Sequence, residues 1–277
     1  MKKRADLHIH TIYSDGIKTP EEILRMAVKA NLGAISITDH DSVDAYKELY
    51  KISNKYQIEI ITGIEFSCYE DEQEIHVLAY NFDINNKELV HALNTFKKAR
   101  EVRAKRIISK LKKINIELNL EEISKIAGVA PITRPHIAFA LIDKGYVTSQ
   151  REAFNLYLSD GKPCYEPKYN FSIKEALELI NKCDGIAVLA HPSDTISPEM
   201  LYNLIEMGID GIEVVHPSQN NTIERHLTQI ANQYWLIATG GSDYHGSRDY
   251  DDSNFGKYTV PFSVLQSIKS RNQKRIF

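Results

Sequence analysis

Two imidazoles stand two residues apart in Asp6-Leu7-His8-Ile9-His10. On a β-strand that spacing puts both on one face, where they can chelate one divalent ion. Ser14-Asp15-Gly16 follows with a carboxylate on a turn. Four further segments offer the same chemistry: Thr38-Asp39-His40-Asp41, Gly63-Ile64-Glu65, Ala190-His191-Pro192 and Gly241-Ser242-Asp243-Tyr244-His245. Each alone reads equally well as a turn former, a helix cap or a buried histidine. Jointly they do not, because six of the ten histidines fall at or beside the ends of apolar runs, in company with acidic residues. Such a set favours several hard or borderline cations. Its imidazole content points to Mn²⁺, Zn²⁺ or Fe²⁺ and leaves room for Mg²⁺ at one site.

The elements that must position these side chains are short and regular. Ala5–Ile9, Ala34–Thr38, Glu59–Ile64, Glu74–Tyr80, Gly185–Ala190, Gly211–Val215 and Trp235–Thr239 read as seven buried strands. Thr19-Pro20-Glu21-Glu22 opens a helix, with Thr as N-cap and Pro in the first turn. Ser42–Tyr56, Ser172–Lys182, Ser197–Met207 and Thr222–Gln233 supply other helices. Strand–helix alternation predicts an α/β fold with a parallel sheet, and seven strands suit closure into a barrel related to the eight-fold (β/α) form, whose chemistry lies at the C-terminal strand ends. Between residues 86 and 167 no strand is evident. Glu88–Ile114, Glu121–Ala127, Pro135–Lys144 and Ser149–Ser159 read as helices. The expectation is a barrel formed by residues 1–85 and 168–277, with an all-helical insertion, 86–167, acting as a substrate lid.

Composition narrows the class. The chain has 277 residues, 43% hydrophobic and 26% charged, with a formal net charge of −3, which is ordinary for a globular enzyme. Three separated cysteines without CxxC spacing argue against a disulfide framework or a thiolate zinc site and predict a cytoplasmic protein. No run of about 18 apolar residues suggests a membrane span, and the polar residues after the basic N-terminus do not suggest a signal peptide. No obligate protein partner is evident.

The motifs quoted above resemble those of the PHP (polymerase and histidinol phosphatase) superfamily, in the family's order and across nearly the whole chain. The resemblance implies a distorted (β/α)7 barrel and a metal-dependent phosphoesterase with three metal ions. The first site would use His8, His10, Glu65 and Asp243; the second Glu65, His76 and His191; the third Asp15, His40 and His245. Asp6 is expected to support the ligands rather than to bind metal, and Asp39 and Asp41 to orient His40 or to form turns. Clustered cations lower the pKa of bound water and stabilise charge on the entering and leaving oxygens of a phosphoryl group. The catalytic group is therefore expected to be metal-activated water, with no protein nucleophile.

The helical insertion speaks to substrate. Lys97–Lys113 holds nine basic residues among seventeen, most of them expected on a solvated face, with Arg100 and Arg103 as candidates to face the cleft. Arg134 stands just before Pro135, beside a helix N-terminus suited to phosphate. Together with His136 and Gly161-Lys162-Pro163-Cys164-Tyr165, these features resemble the branch containing nucleoside-3′,5′-bisphosphate phosphatases and 5′→3′ exonucleases acting on short RNA. That implies hydrolysis of a nucleotide phosphate ester, with Arg134 and His136 gripping a second phosphate. His216 would contact substrate or close a loop. The alternatives are a histidinol-phosphate phosphatase, which calls for a small acidic pocket, and a non-catalytic metal-binding module.

Overall fold

A computed structural model describes residues 3–70, 73–192 and 197–275. Its strands are β1 (Arg4–Asp6), β2 (Ala34–Ile37), β3 (Glu59–Glu70), β4 (Gln73–Tyr80), β5 (Ile186–Leu189), β6 (Gly211–Val215), β7 (Ile237–Gly240) and β8 (Val260–Pro261). They form one sheet in the order β7-β6-β5-β4-β3-β2-β1-β8. The sheet nearly closes into a barrel. Beyond β1 the chain leans on the other edge, where Leu7 N–H donates to Gly240 O (3.1 Å) and His10 N–H to Tyr244 O (2.8 Å).

The sheet is mixed rather than wholly parallel. β4 runs antiparallel to both β3 and β5, and β8 runs antiparallel to β1. The physical reason is the connection. Only two residues separate β3 from β4 in the sequence, and only an antiparallel partner can follow so short a link. β3 also extends to Glu70, six residues past the apolar run that marks it in sequence, because a buried carboxylate at Glu65 interrupts the hydrophobic pattern without ending the strand. The eighth strand has only two residues, one of them a proline at the sheet edge.

Helices α1 (Pro20–Lys29), α2 (Ala45–Ile52), α7 (Ile173–Lys182), α8 (Pro198–Glu206), α9 (Asn221–Gln233), α10 (Asp251–Asn254) and α11 (Ser263–Arg275) accompany the barrel strands. α1 begins as its sequence dictates, with a reciprocal Thr19–Glu22 capping box and Pro20 in the first turn. Between β4 and β5 lie α3 (Lys87–Lys113), α4 (Leu120–Ala127), α5 (Arg134–Asp143) and α6 (Gln150–Ala153), the last continuing into a π-helical turn, Phe154–Leu158.

Three apolar clusters result. Alternate residues of the strands divide between two of them: Ala187 and Leu189 face the outer helices, whereas Ile186 and Val188 join Ile61, Leu78, Tyr80 and the α11 residues Leu265 and Ile268. Glu65 and His76 share the second face by strand parity. The third cluster is built from α3–α5 and the segment to Cys164. α3 contributes to two of the three: Leu89 and Phe96 pack in the barrel's outer layer, Ala104, Ile107 and Leu111 in the helical cluster.

Candidate metal centre

Glu65, 1% exposed, stands at the middle of the site. Its two oxygens face different rings. Oε1 lies 2.8 Å from His76 Nδ1 and 3.1 Å from His191 Nε2. Oε2 lies 3.1 Å from His40 Nδ1, 3.2 Å from His10 Nε2 and 3.4 Å from His8 Nε2. Asp243 Oδ1 meets His8 and His10 from another side, at 3.3 and 3.2 Å. Asp15 closes the group, with Oδ1 3.3 Å from His245 Nε2 and 3.7 Å from His10 Nδ1, and Oδ2 3.9 Å from His40 Nε2. Donor atoms of His10, Asp15, His40 and His245 lie within 4.8 Å of one another, as do those of His8, His10 and Asp243 and those of His40, Glu65 and His76.

The donor set fits divalent cations. Asp15 Oδ1, Glu65 Oε2, His40 Nδ1, His76 Nδ1 and His216 Nε2 are buried without a hydrogen-bond partner. Buried polar atoms are rarely left so, and here they converge. The charges agree. Burial pushes the His10 imidazole down, but the close Asp243 and Glu65 carboxylates overcome it and lift it to about 10. His76 is likewise lifted to about 9 against burial, chiefly by Glu65. Burial raises Glu65, Asp15 and Asp243, yet the surrounding imidazoles hold all three well below the usual carboxylate range. The cage thus demands positive charge, which cations supply without protons.

Backbone and neighbouring side chains aim these ligands. Glu213, fully buried on β6, accepts from His8 Nδ1 (2.9 Å) and from the His191 N–H (2.8 Å). Glu74 faces His76 Nε2 at 2.8 Å, and the Asp243 carbonyl faces His245 Nδ1 at 2.9 Å. His191 (φ 27°) and Asp243 (φ 48°) adopt left-handed backbone conformations, uncommon for non-glycine residues and frequent where a site dictates side-chain direction.

The three carboxylates expected to support the ligands have distinct partners. Asp6 Oδ1 accepts from the His8 and Ser242 N–H groups (3.3 and 2.9 Å), and burial pushes its carboxyl up to about 7. Asp39 does not orient His40. It gathers the Thr11 N–H and hydroxyl and the Ser14 hydroxyl at 2.6–2.7 Å, folding the loop that carries Asp15. Asp41 pairs with Arg100 and accepts the Ser67 N–H.

The expected substrate residues divide similarly. Arg100 is buried against Asp41 and Ser67. Arg103 is buried with Nε on the Glu166 carbonyl (2.8 Å) and Nη2 without a partner. Arg134 donates to Glu74 (3.2 Å) and lies over the Phe154 and Tyr165 rings. His136 is buried; its Nδ1 accepts the Thr133 N–H at 3.1 Å, completing the cap of α5. His216 reaches the centre itself, with Nε2 3.4 Å from Asp243 Oδ2 and Nδ1 on Ser218 Oγ (2.7 Å).

Four site residues are absent from the sequence reading. Glu213 carries a signal that was available, an acidic residue inside the apolar run Gly211–Val215. Glu74 is betrayed only by sharing a strand face with His76. Lys168, which pairs with Glu74, and Arg248, whose Nη1 lies 2.9 Å from Asp243 Oδ2, have no local signature.

Fold and site together define a metal-dependent hydrolase of phosphate esters. The PHP domain family model matches residues 6–155. The chain is 33% identical over 247 residues to the 5′-3′ exoribonuclease Rnm of Escherichia coli, covering 87% of this chain and 84% of that protein. It is 26% identical over 245 residues to a phosphoribosyl 1,2-cyclic phosphate 1,2-diphosphodiesterase of Eggerthella lenta (87% and 94% covered), and 28% identical over 254 residues to a 3′,5′-nucleoside bisphosphate phosphatase of Chromobacterium violaceum (88% and 89%). A solved structure from Bifidobacterium adolescentis, described as a metal-dependent phosphoesterase, superposes with a TM-score of 0.88 at 28% identity, covering 96% of each chain. The chain belongs to the PHP family.

Proposed function

We propose that this phosphoesterase acts on nucleotides, foremost removing the 3′-phosphate of a nucleoside 3′,5′-bisphosphate and also degrading short RNA from its 5′ end. The observation that carries this reading is the cationic pocket beside the ligand cluster. Arg100, Arg103, Arg134 and Lys168 converge where the helical insertion meets β3 and β4, and among the described residues Asp41 and Glu74 are the carboxylates that pair with them. Such a surplus suits a substrate with more than one phosphate and disfavours an amino-alcohol phosphate such as histidinol phosphate, whose ammonium it would repel. Similarity to an exoribonuclease and a bisphosphate phosphatase supports the same class.

We further propose three divalent cations: one held by His8, His10, Glu65 and Asp243, one by Glu65, His76 and His191, and one by Asp15, His40 and His245. His216 stands within reach of the first through its alignment with Asp243. Bound there, the cations would supply activated water and charge stabilisation at phosphorus. The chain's own work is to hold the ring nitrogens deprotonated toward the cluster and to draw the phosphates in. Residues 86–167 act as the substrate platform. Cys68, Cys164 and Cys183 are free and buried, which supports a reducing cytoplasmic setting, and no described helix is long and apolar enough to cross a membrane.

The test is phosphate release by Mn²⁺-loaded protein on adenosine 3′,5′-bisphosphate and histidinol phosphate, alongside product analysis on short 5′-phosphorylated RNA and a five-carbon cyclic phosphate diester. The nucleotide substrates should show the higher kcat/KM. Faster turnover of histidinol phosphate or of the cyclic diester would overturn the assignment.

A further inference from the structure

Glu74 lies two residues before His76 on β4, so both side chains leave the same face. His76 is held between two carboxylates, with Nδ1 2.8 Å from Glu65 Oε1 and Nε2 2.8 Å from Glu74 Oε1. A carboxylate can only accept a hydrogen bond. The neutral ring has one proton to give, and on the Glu74 side it leaves the Nδ1 lone pair directed into the ligand cluster. Glu74 therefore sets the tautomer that metal binding requires.

The same carboxylate carries a second load. Lys168 pairs with Oε1, and Arg134 Nη2 lies 3.2 Å from Oε2. Arg134 comes from the start of α5, Lys168 from the segment that returns to the barrel, so Glu74 is where both parts of the chain meet the metal ligands. Just behind, Arg103 is buried with one guanidinium nitrogen unpartnered. Positive charge exceeds negative in this pocket, and Glu74 occupies two of the cations that a phosphate would seek.

We propose that Glu74 is a positioning residue with two opposed effects: it strengthens metal binding through His76 and weakens anion binding by competing for Arg134 and Lys168. A phosphate arriving at those cations releases the carboxylate toward His76, so the two binding events are coupled through one side chain. The proposal rests on the reading of this centre as a phosphate-ester site, but not on the identity of the substrate.

Glu74→Gln keeps the shape and removes the charge. Two measurements without substrate suffice: Mn²⁺ affinity by chelator competition, and binding of inorganic phosphate by calorimetry at saturating Mn²⁺. The variant should bind Mn²⁺ about 10–100-fold more weakly at one site, the usual cost of losing a partner of a ligating histidine, and should bind phosphate more tightly than the parent. Opposite signs are the signature, since a merely damaged fold weakens both. Unchanged Mn²⁺ affinity, or weaker phosphate binding, overturns the proposal. Lys168→Met and Arg134→Met provide the complementary check. Each should weaken phosphate binding without lowering Mn²⁺ affinity, since freeing Glu74 toward His76 can only strengthen metal binding; a matching loss of Mn²⁺ in either would also overturn it. Failure of the nucleotide assay would leave these outcomes readable, because neither measurement uses a nucleotide.

Discussion

The two oxygens of Glu65 on β3 face different imidazoles, an arrangement that lets one carboxylate serve two cations. Glu213 does a different task, holding the His8 ring and the His191 backbone from behind. The two should separate experimentally. Glu213→Gln is expected to lower metal affinity or kcat/KM by about 10–100-fold. Glu65→Gln should exceed that loss and reduce the metal content of purified protein, as read by elemental analysis. Equal, mild effects would refute the bridging arrangement. Glu65 was legible in sequence because a charge after Gly63-Ile64 interrupts an apolar run. Glu213 carried the same mark, yet the run around it was read as plain strand. Arg248 and Lys168 were illegible for a sounder reason: each meets its partner through tertiary approach, and nothing in the neighbouring residues announces it.

Among elements, most strands and helices could be read from periodicity, but β8, α10 and α11 could not, and neither could the length of β3 or the direction of the strands. The antiparallel β3–β4 and β4–β5 pairs depend on connection length and closure rather than on local pattern. Closure has its own requirement at Gly241, just past β7. A Cβ there would sit 2.3 Å from the His8 backbone nitrogen and 2.8 Å from Asp6 Oδ1. The chain leaving β7 must press against the segment that bears the first histidines. Gly241→Ala is expected to cost about 1–3 kcal/mol, measured by denaturant unfolding, and to depress metal affinity because His8 moves. A variant as stable as the parent would show that the approach has slack. The π-helical turn Phe154–Leu158 has no counterpart in the sequence reading, since one extra residue in a turn leaves the hydrophobic pattern almost intact.

For the whole molecule, the helical insertion is not a separate body hung from a barrel by loops. Its first helix, 27 residues and about 40 Å long, packs Leu89 and Phe96 into the barrel's outer layer and Ala104, Ile107 and Leu111 into the helical cluster. Arg100, between those two stretches, is tied to Asp41 at the edge of the metal centre. Neither cluster can lose its packing without releasing a length of rod that the other needs. Heating should therefore give a single calorimetric transition, with calorimetric and van't Hoff enthalpies in agreement. Added Mn²⁺ should raise its Tm as a unit, by the mass-action stabilisation expected of a ligand bound only to the native state. Two resolved transitions, or one that splits when metal is removed, would show that the rod is not shared in this sense. If it is shared, the protein cannot shed its insertion piecemeal, and proteolysis within residues 86–167 should inactivate the metal centre rather than leave a trimmed, working barrel.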